Sequence, residues 1–248
     1  VPLARKIQNG WKWLVKSTYL QSRVVNVLST QFVQPLKDWG YKGAVEVQTT
    51  CVDTELIKDI SVGHKHISAD SQIKVLYISR IVKTKGVLET IQAMEIIASS
   101  YDVQLTIAGD GPYFSEVKKY VSERELSFVK LLGYVAGPAK KKLFESHQVL
   151  CFPTYYPEGL PVSIMEGIST GCVLVCTDVG GIADIFLDGK MGSICRPKPE
   201  DVAVKLCGWM DNPEEMNKVM DFNYGYGKSH FGADVVAEKI YQQYLAVS

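Results

Sequence analysis

Short apolar runs of strand length alternate along the chain with stretches whose apolar residues recur at helical spacing. Ile73–Ser79 is such a run, rich in β-branched and aromatic residues, and Val87, Leu88, Ile91, Met94 and Ala98 follow at helical intervals. Val103–Ala108 reads as a strand ending in the turn Gly109-Asp110-Gly111-Pro112, and a charged helical stretch continues to about Glu125. Strand Phe128–Leu132, helix Ala139–His147, strand Val149–Phe152, helix 161–170 and strand Cys172–Thr177 come next. A short helix near Ile182–Phe186, a last extended run at Gly192–Cys195 and a helical remainder closing with Val235–Val247 complete the pattern. Strands apolar on both faces and separated by helices belong in a parallel sheet covered on both sides. The expected fold is therefore α/β, a doubly wound Rossmann-like parallel sheet whose ligands lie at the carboxyl ends of the strands. Upstream, residues 24–30 read as a strand, 31–39 as a helix and 44–49 as a second strand. The polar stretch Ser61–Gln72 reads as a linker. Its His64 and His66 have no third ligand nearby, so solvated side chains fit better than a metal site.

Composition narrows the picture. With 248 residues, 46% of them apolar and 22% charged, the chain has the make-up of a globular protein rather than a disordered one. A formal net charge of zero gives no global case for nucleic acid as a partner. The balance hides an asymmetry, because Val1–Lys37 holds six basic residues, no acid, and Trp11, Trp13, Leu14, Val15 and Tyr19. Such a stretch fits either peripheral contact with an anionic membrane or packing on a further domain. No apolar run approaches the ~20 residues of a membrane-spanning helix. No signal peptide is visible, and Val1 does not read as a natural start. The six cysteines show no metal-type pairing and read as small core residues in a reducing, cytoplasmic setting.

Three loops at the expected sheet edge carry chemistry. In Ser79-Arg80-Ile81-Val82-Lys83-Thr84-Lys85-Gly86 the guanidinium of Arg80 and the ammonium of Lys85 flank one short turn before a helix. Rigid fork and mobile point charge together suit a diphosphate, helped by the helix N-terminus, although a solvated basic loop has the same composition. In the second loop, Pro161 fits the first helical position and leaves the N–H groups of Val162 and Ser163 open to phosphate oxygens. Glu158 precedes that helix and Glu166 leans back toward its start, so both carboxylates are expected to face one ligand rich in hydroxyls. A pair of surface glutamates favoured by the helix dipole is the plainer alternative. The third loop, Thr177 to Asp184, carries Gly180-Gly181 for a sharp turn or close backbone approach, with Asp178 as an expected helix N-cap. Gly109-Asp110-Gly111-Pro112 lacks the third glycine of a dinucleotide fingerprint, which counts against an oxidoreductase.

Taken in order, SRIVKTKG, IAGDGP, LLGYV, CFPTYYPEGLPVSIMEG and TDVGGIADIFLDGKMG resemble the family-4 retaining glycosyltransferases of the GT-B fold, over about residues 73–246. Seven residues separate Glu158 from Glu166, as in that family's paired-glutamate signature. The resemblance implies that Arg80 and Lys85 hold the donor diphosphate and stabilise the leaving nucleotide. It implies that Glu158 contacts the transferred sugar and Glu166 the nucleotide ribose. Gly159, Leu160, Pro161, Val162 and Ser163 would supply backbone contacts to phosphates and sugar, and Tyr134 and Val135 would hold the base. It further implies transfer with retention from a nucleotide-diphosphate sugar to a sugar or lipid-linked acceptor, with no cofactor and no metal. Polysaccharide or glycolipid assembly at the inner face of a membrane is the implied setting.

Family members have two Rossmann-like domains, and only residues 24–60 resemble the end of the first, acceptor-side one. The expected organisation is a remnant of that domain and hinge over 1–62, a nucleotide-sugar-binding domain over 63–232, and a carboxyl-terminal helix over 233–248. A chain of this kind is expected to bind donor without necessarily turning over alone. A non-catalytic donor-binding subunit completed by a partner chain is the alternative.

Overall fold

The structure is a computed structural model and describes residues 18–247. Trp11, Trp13, Leu14 and Val15 of the basic aromatic stretch lie outside the described residues. Two parallel sheets are present among the described residues, of unequal size.

The smaller sheet pairs β1 (Val24–Val27) with β2 (Ala44–Val47) in parallel, Val24 opposite Ala44. A turn at Thr30–Phe32, whose start is capped by Ser29, interrupts the longer strand expected over 24–30 and leads into α1 (Val33–Asp38). Val25, Val27 and Tyr41 form a small core here, covered by Val33, Leu36 and Val45.

The larger sheet holds β3 (Ile73–Ile78), β4 (Val103–Ala108), β5 (Val129–Gly133), β6 (Val149–Phe152), β7 (Val173–Cys176) and β8 (Gly192–Ile194). Every neighbouring pair is parallel, in the order β5-β4-β3-β6-β7-β8. All residues of β6 and β7 are buried, which is why they read as unbroken apolar runs. Parallel strands need crossovers, and the helices supply them: α2 (Thr54–Ile57) precedes β3, then α3 (Val87–Ile97), α4 (Phe114–Glu123), α5 (Gly137–Ser146), α6 (Val162–Ser169) and α7 (Ile182–Ile185) separate the strands. The remainder forms α8 (Pro199–Met210), α9 (Pro213–Phe231) and α10 (Ala233–Val247). α3 packs on α8, and α6 on α9.

Strand order reverses between β3 and β6. Connections leaving β3 run to one side of the sheet and those leaving β6 to the other, so their loops part and leave a crevice. Both of the charged loops singled out in the sequence follow these two strands.

Three expectations are corrected. The stretch 61–72 is not a solvated linker: Val62 and Ile67 are buried, and Lys65 is 1% exposed. The Lys65 ammonium donates to the Thr170 carbonyl at 2.9 Å and lies 3.3 Å from Cys172 Sγ, and burial pushes its pKa down. Core packing accordingly runs across residue 62, with Val52, Leu56 and Ile60 in the same cluster as β3. Four cysteines are buried, yet Cys51 is exposed and Cys207 half-buried; all six are free thiols. Asp178 is exposed and caps nothing, because α7 starts at Ile182 with Gly181 as its N-cap. His66 pairs with Asp221 at 3.0 Å. No helix among the described residues is long and apolar enough to cross a membrane.

Candidate functional site

The crevice holds a cavity of about 470 Å³. Its floor is Ile78 and Ser79 after β3, Ala108 and Gly109 after β4, and Phe152 after β6. Gly109 sits at φ 139°, and a Cβ there would meet the Ser79 carbonyl oxygen at 1.8 Å. Only glycine lets the β3 and β4 ends approach so closely beneath the cavity.

Pro161, Val162 and Ser163 form one wall at the start of α6. Pro161 is the N-cap, one residue earlier than expected, so Val162 opens the helix. Among the described residues, none accepts from the backbone N–H of Val162 or Ser163. Two donors and the positive end of a helix therefore point at open space, an arrangement that favours an anion. Tyr134, Val135, Ala136 and Gly137 form another wall, where α5 begins. Tyr134 is 79% exposed and stands at the rim.

Lys85 lines the cavity but its charge is already engaged. Its ammonium lies 2.8 Å from Glu158 Oε1 and 2.9 Å from Oε2, and 5.1 Å from the centre of the Tyr156 ring. Both side chains are largely buried, 14% exposed for Lys85 and 7% for Glu158. Thr154 Oγ1 donates to Glu158 Oε1 at 2.9 Å, which leaves the carboxylate well satisfied. Buried charges persist in this way only when paired. Glu158 and Leu160 are buried and, with Gly159, do not line the cavity. Arg80 is exposed on the loop after β3, lies outside the cavity lining and has no partner among the described residues. The two cations expected to converge therefore do not meet here: Lys85 is inside, Arg80 at the surface.

Glu166 does face the cavity, together with Lys140 and Asp53. Lys140 Nζ donates to Glu166 Oε1. Burial pushes the Glu166 pKa up, Lys140 pulls against it, and Asp53 adds to the rise. Neither Lys140 nor Asp53 was singled out in the sequence. Lys140 opens the run Lys140-Lys141-Lys142, which has the composition of a solvated helix face, and Asp53 serves visibly as the N-cap of α2, accepting from Glu55 N at 3.0 Å.

The glycine pair Gly180-Gly181 packs against protein. Gly181 N donates to Gly159 O at 2.8 Å, and Gly180 turns at φ 63° against the Glu158 carbonyl. The smaller sheet reaches the same loop: Gln31 Nε2 donates to Glu158 O at 2.7 Å, and Asp184 accepts from Thr30 N at 2.8 Å and Thr30 Oγ1 at 2.6 Å. These bonds lower the Asp184 pKa against its partial desolvation.

Residues 63–224 match the family described as glycosyl transferases group 1. The chain is 30% identical over 148 residues to the alpha-D-kanosaminyltransferase of Streptomyces kanamyceticus, covering 58% of this chain and 38% of that protein. It is 24% identical over 177 residues to a putative teichuronic acid biosynthesis glycosyltransferase of Bacillus subtilis, covering 70% of this chain and 42% of that one. Matches of this kind span about two fifths of the relatives' length. Among solved structures, HepE of Anabaena in complex with UDP and glucose superposes with a TM-score of 0.78 at 17% identity, over 96% of this chain and 67% of its own. A glycosyltransferase of Rickettsia africae gives the same score over 95% and 66%. That likeness confirms the GT-B type of α/β fold, with its six-stranded parallel sheet flanked by helices. The chain belongs to the group 1 glycosyl transferases.

Proposed function

We propose that this chain carries the donor site of a retaining glycosyltransferase of the family-4 type, which passes a sugar from a nucleotide diphosphate to an acceptor hydroxyl in polysaccharide or glycolipid assembly. The supporting observation is the pair of open N–H groups at Val162 and Ser163, facing the same cavity as Lys85. A diphosphate placed there accepts from the helix start and draws the Lys85 ammonium to itself. Lys85 then exchanges one anionic partner for another, and Glu158 is released to accept from a sugar hydroxyl. Arg80, unpaired at the surface of the same loop, supplies a second cation when its side chain folds over the cavity mouth. Together they neutralise charge that builds up on the departing nucleotide, where fixed dipoles and cations act most strongly. Glu166 takes the ribose hydroxyls, and the walls at Tyr134–Val135 and Pro161–Ser163 hold the base, phosphates and sugar. Retention follows if the acceptor hydroxyl attacks on the face the nucleotide leaves.

Relatives were solved with UDP, so UDP-sugars head the candidates, followed by GDP- and ADP-sugars. Calorimetry with each diphosphate and its nucleoside tests the reading. Glu166→Gln is expected to weaken nucleoside and diphosphate alike, by about tenfold for a lost charged hydrogen bond. Unchanged nucleoside affinity in that variant removes the ribose assignment.

A donor-binding subunit completed by a partner chain uses the same site. An apolar groove of about 400 Å³ between β1 and α1, with Phe32 and Trp39 exposed on it, favours that reading. Transfer by this chain alone decides against the partner reading.

A further inference from the structure

Lys140 stands where the helix it belongs to does not favour it. It lies in the first turn of α5, a helix start that carries no acidic residue, so its charge opposes the dipole there. Its neighbour behaves differently: Lys141 Nζ donates to the Lys58 carbonyl and lies near Glu145. Lys140 turns inward onto Glu166, whose side chain is 5% exposed against 27% for the lysine. The pair stands at the junction of the main cavity and a smaller lobe of about 320 Å³, and both side chains line each.

We infer that Lys140 is a positioning residue, which keeps the Glu166 carboxylate ionised and aimed along the cavity wall as an acceptor for a vicinal diol. The diol being that of a nucleoside rests on the function proposed above; the pairing itself does not. One oxygen of Glu166 is committed to Lys140, which leaves the other to take hydroxyl protons.

Among the described residues, Lys140 is the one cation that pairs with Glu166. Asp53, on the loop before α2, opposes its ionisation, and Glu55 lines the smaller lobe. Lys85 lines the main cavity but is held by Glu158. Lys141 is engaged with Lys58 and Glu145. From α9, packed against α6, the buried residues are Met216, Val219, Met220, Asn223, Gly227 and Phe231, none of them titratable. Loss of Lys140 leaves burial and Asp53 to act alone, and both raise the pH at which Glu166 releases its proton.

The test uses the free protein first. Carbon-13 NMR titration of Glu166 in wild type, Lys140→Met and Lys140→Arg is expected to show a higher midpoint in Lys140→Met, with Lys140→Arg close to wild type. Equal midpoints in wild type and Lys140→Met overturn the proposal. Calorimetry then takes the best-bound of UDP, GDP and ADP, and its nucleoside, below and above the raised midpoint. Well below both midpoints, Lys140→Met is expected to have lost affinity for both ligands relative to wild type, about tenfold for every pH unit that separates the two midpoints, and to recover above the raised one. A loss confined to the diphosphate, the nucleoside being unaffected, makes Lys140 a phosphate cation and also overturns the proposal. A raised midpoint in a protein that binds no nucleoside upholds the pairing and removes the nucleotide reading instead.

Discussion

Lys85→Ala is expected to destabilise the fold and to erase the preference for a nucleoside diphosphate over its nucleoside. The structural part follows from burial. Glu158 is 7% exposed, and its one cationic partner among the described residues is Lys85. Truncation of the lysine leaves a buried carboxylate with Thr154 as its remaining side-chain donor, a change that costs about 3–5 kcal/mol in comparable sites. Urea unfolding measures it, and the double variant Lys85→Ala/Glu158→Gln should cost less, because no unpaired charge is then left buried. The binding part follows from position, since Lys85 lines the same cavity as the open N–H groups of Val162 and Ser163. The diphosphate should lose about a hundredfold, roughly the worth of a charged hydrogen bond of 2–3 kcal/mol, while the nucleoside is held as before. Equal losses for both ligands would show that Lys85 acts through the fold alone.

Gly180→Ala is expected to produce the second largest effect, without touching any charged group. At φ 63° an alanine is strained by roughly 1–2 kcal/mol. Its Cβ would also stand 2.0 Å from the Glu158 carbonyl oxygen, with Gln31 Nε2 3.2 Å away. Backbone atoms cannot swing aside as a flexible side chain does, so the loop bearing Glu158 must move. That displacement parts Glu158 from Lys85 and breaks the Gln31 bond to the same carbonyl. A nucleotide sugar should then bind no better than the bare diphosphate, whereas in wild type the sugar is expected to add affinity. Unaltered discrimination, with only stability reduced, would separate the turn from the sugar contact.

The larger sheet was legible because its central strands, β3, β4, β6 and β7, are buried on both faces. An unbroken apolar run such as Val149–Phe152 has no other accommodation in a chain that also carries helical spacing on either side. The loops Arg80–Lys85 and Glu158–Glu166 were legible as places, since parallel strands end at one edge. Their pairings were not. Lys85 and Glu158 are 73 residues apart, and nothing in local composition announces that the cation meets the first glutamate before any ligand arrives. Lys140 was hidden by its own surroundings, a lysine run at a helix start, where only the third dimension distinguishes the inward side chain from the two beside it. The stretch 61–72 misled for a related reason. Its polar letters include Lys65, whose stem fills core volume and whose ammonium finds the Thr170 carbonyl, so hydrophilic composition accompanies burial. Asp178 failed as a cap because Gly180-Gly181 already turns the chain, and the helix begins three residues beyond the aspartate's reach.

The donor-site claim comes down to whether a diphosphate sits on the open start of α6. Amide NMR of Val162 and Ser163 during titration with UDP, GDP or ADP measures this directly. Saturable shifts at both amides with a diphosphate, and none with the matching nucleoside, are the expected result. A diphosphate that binds while those two amides stay unmoved would contradict it.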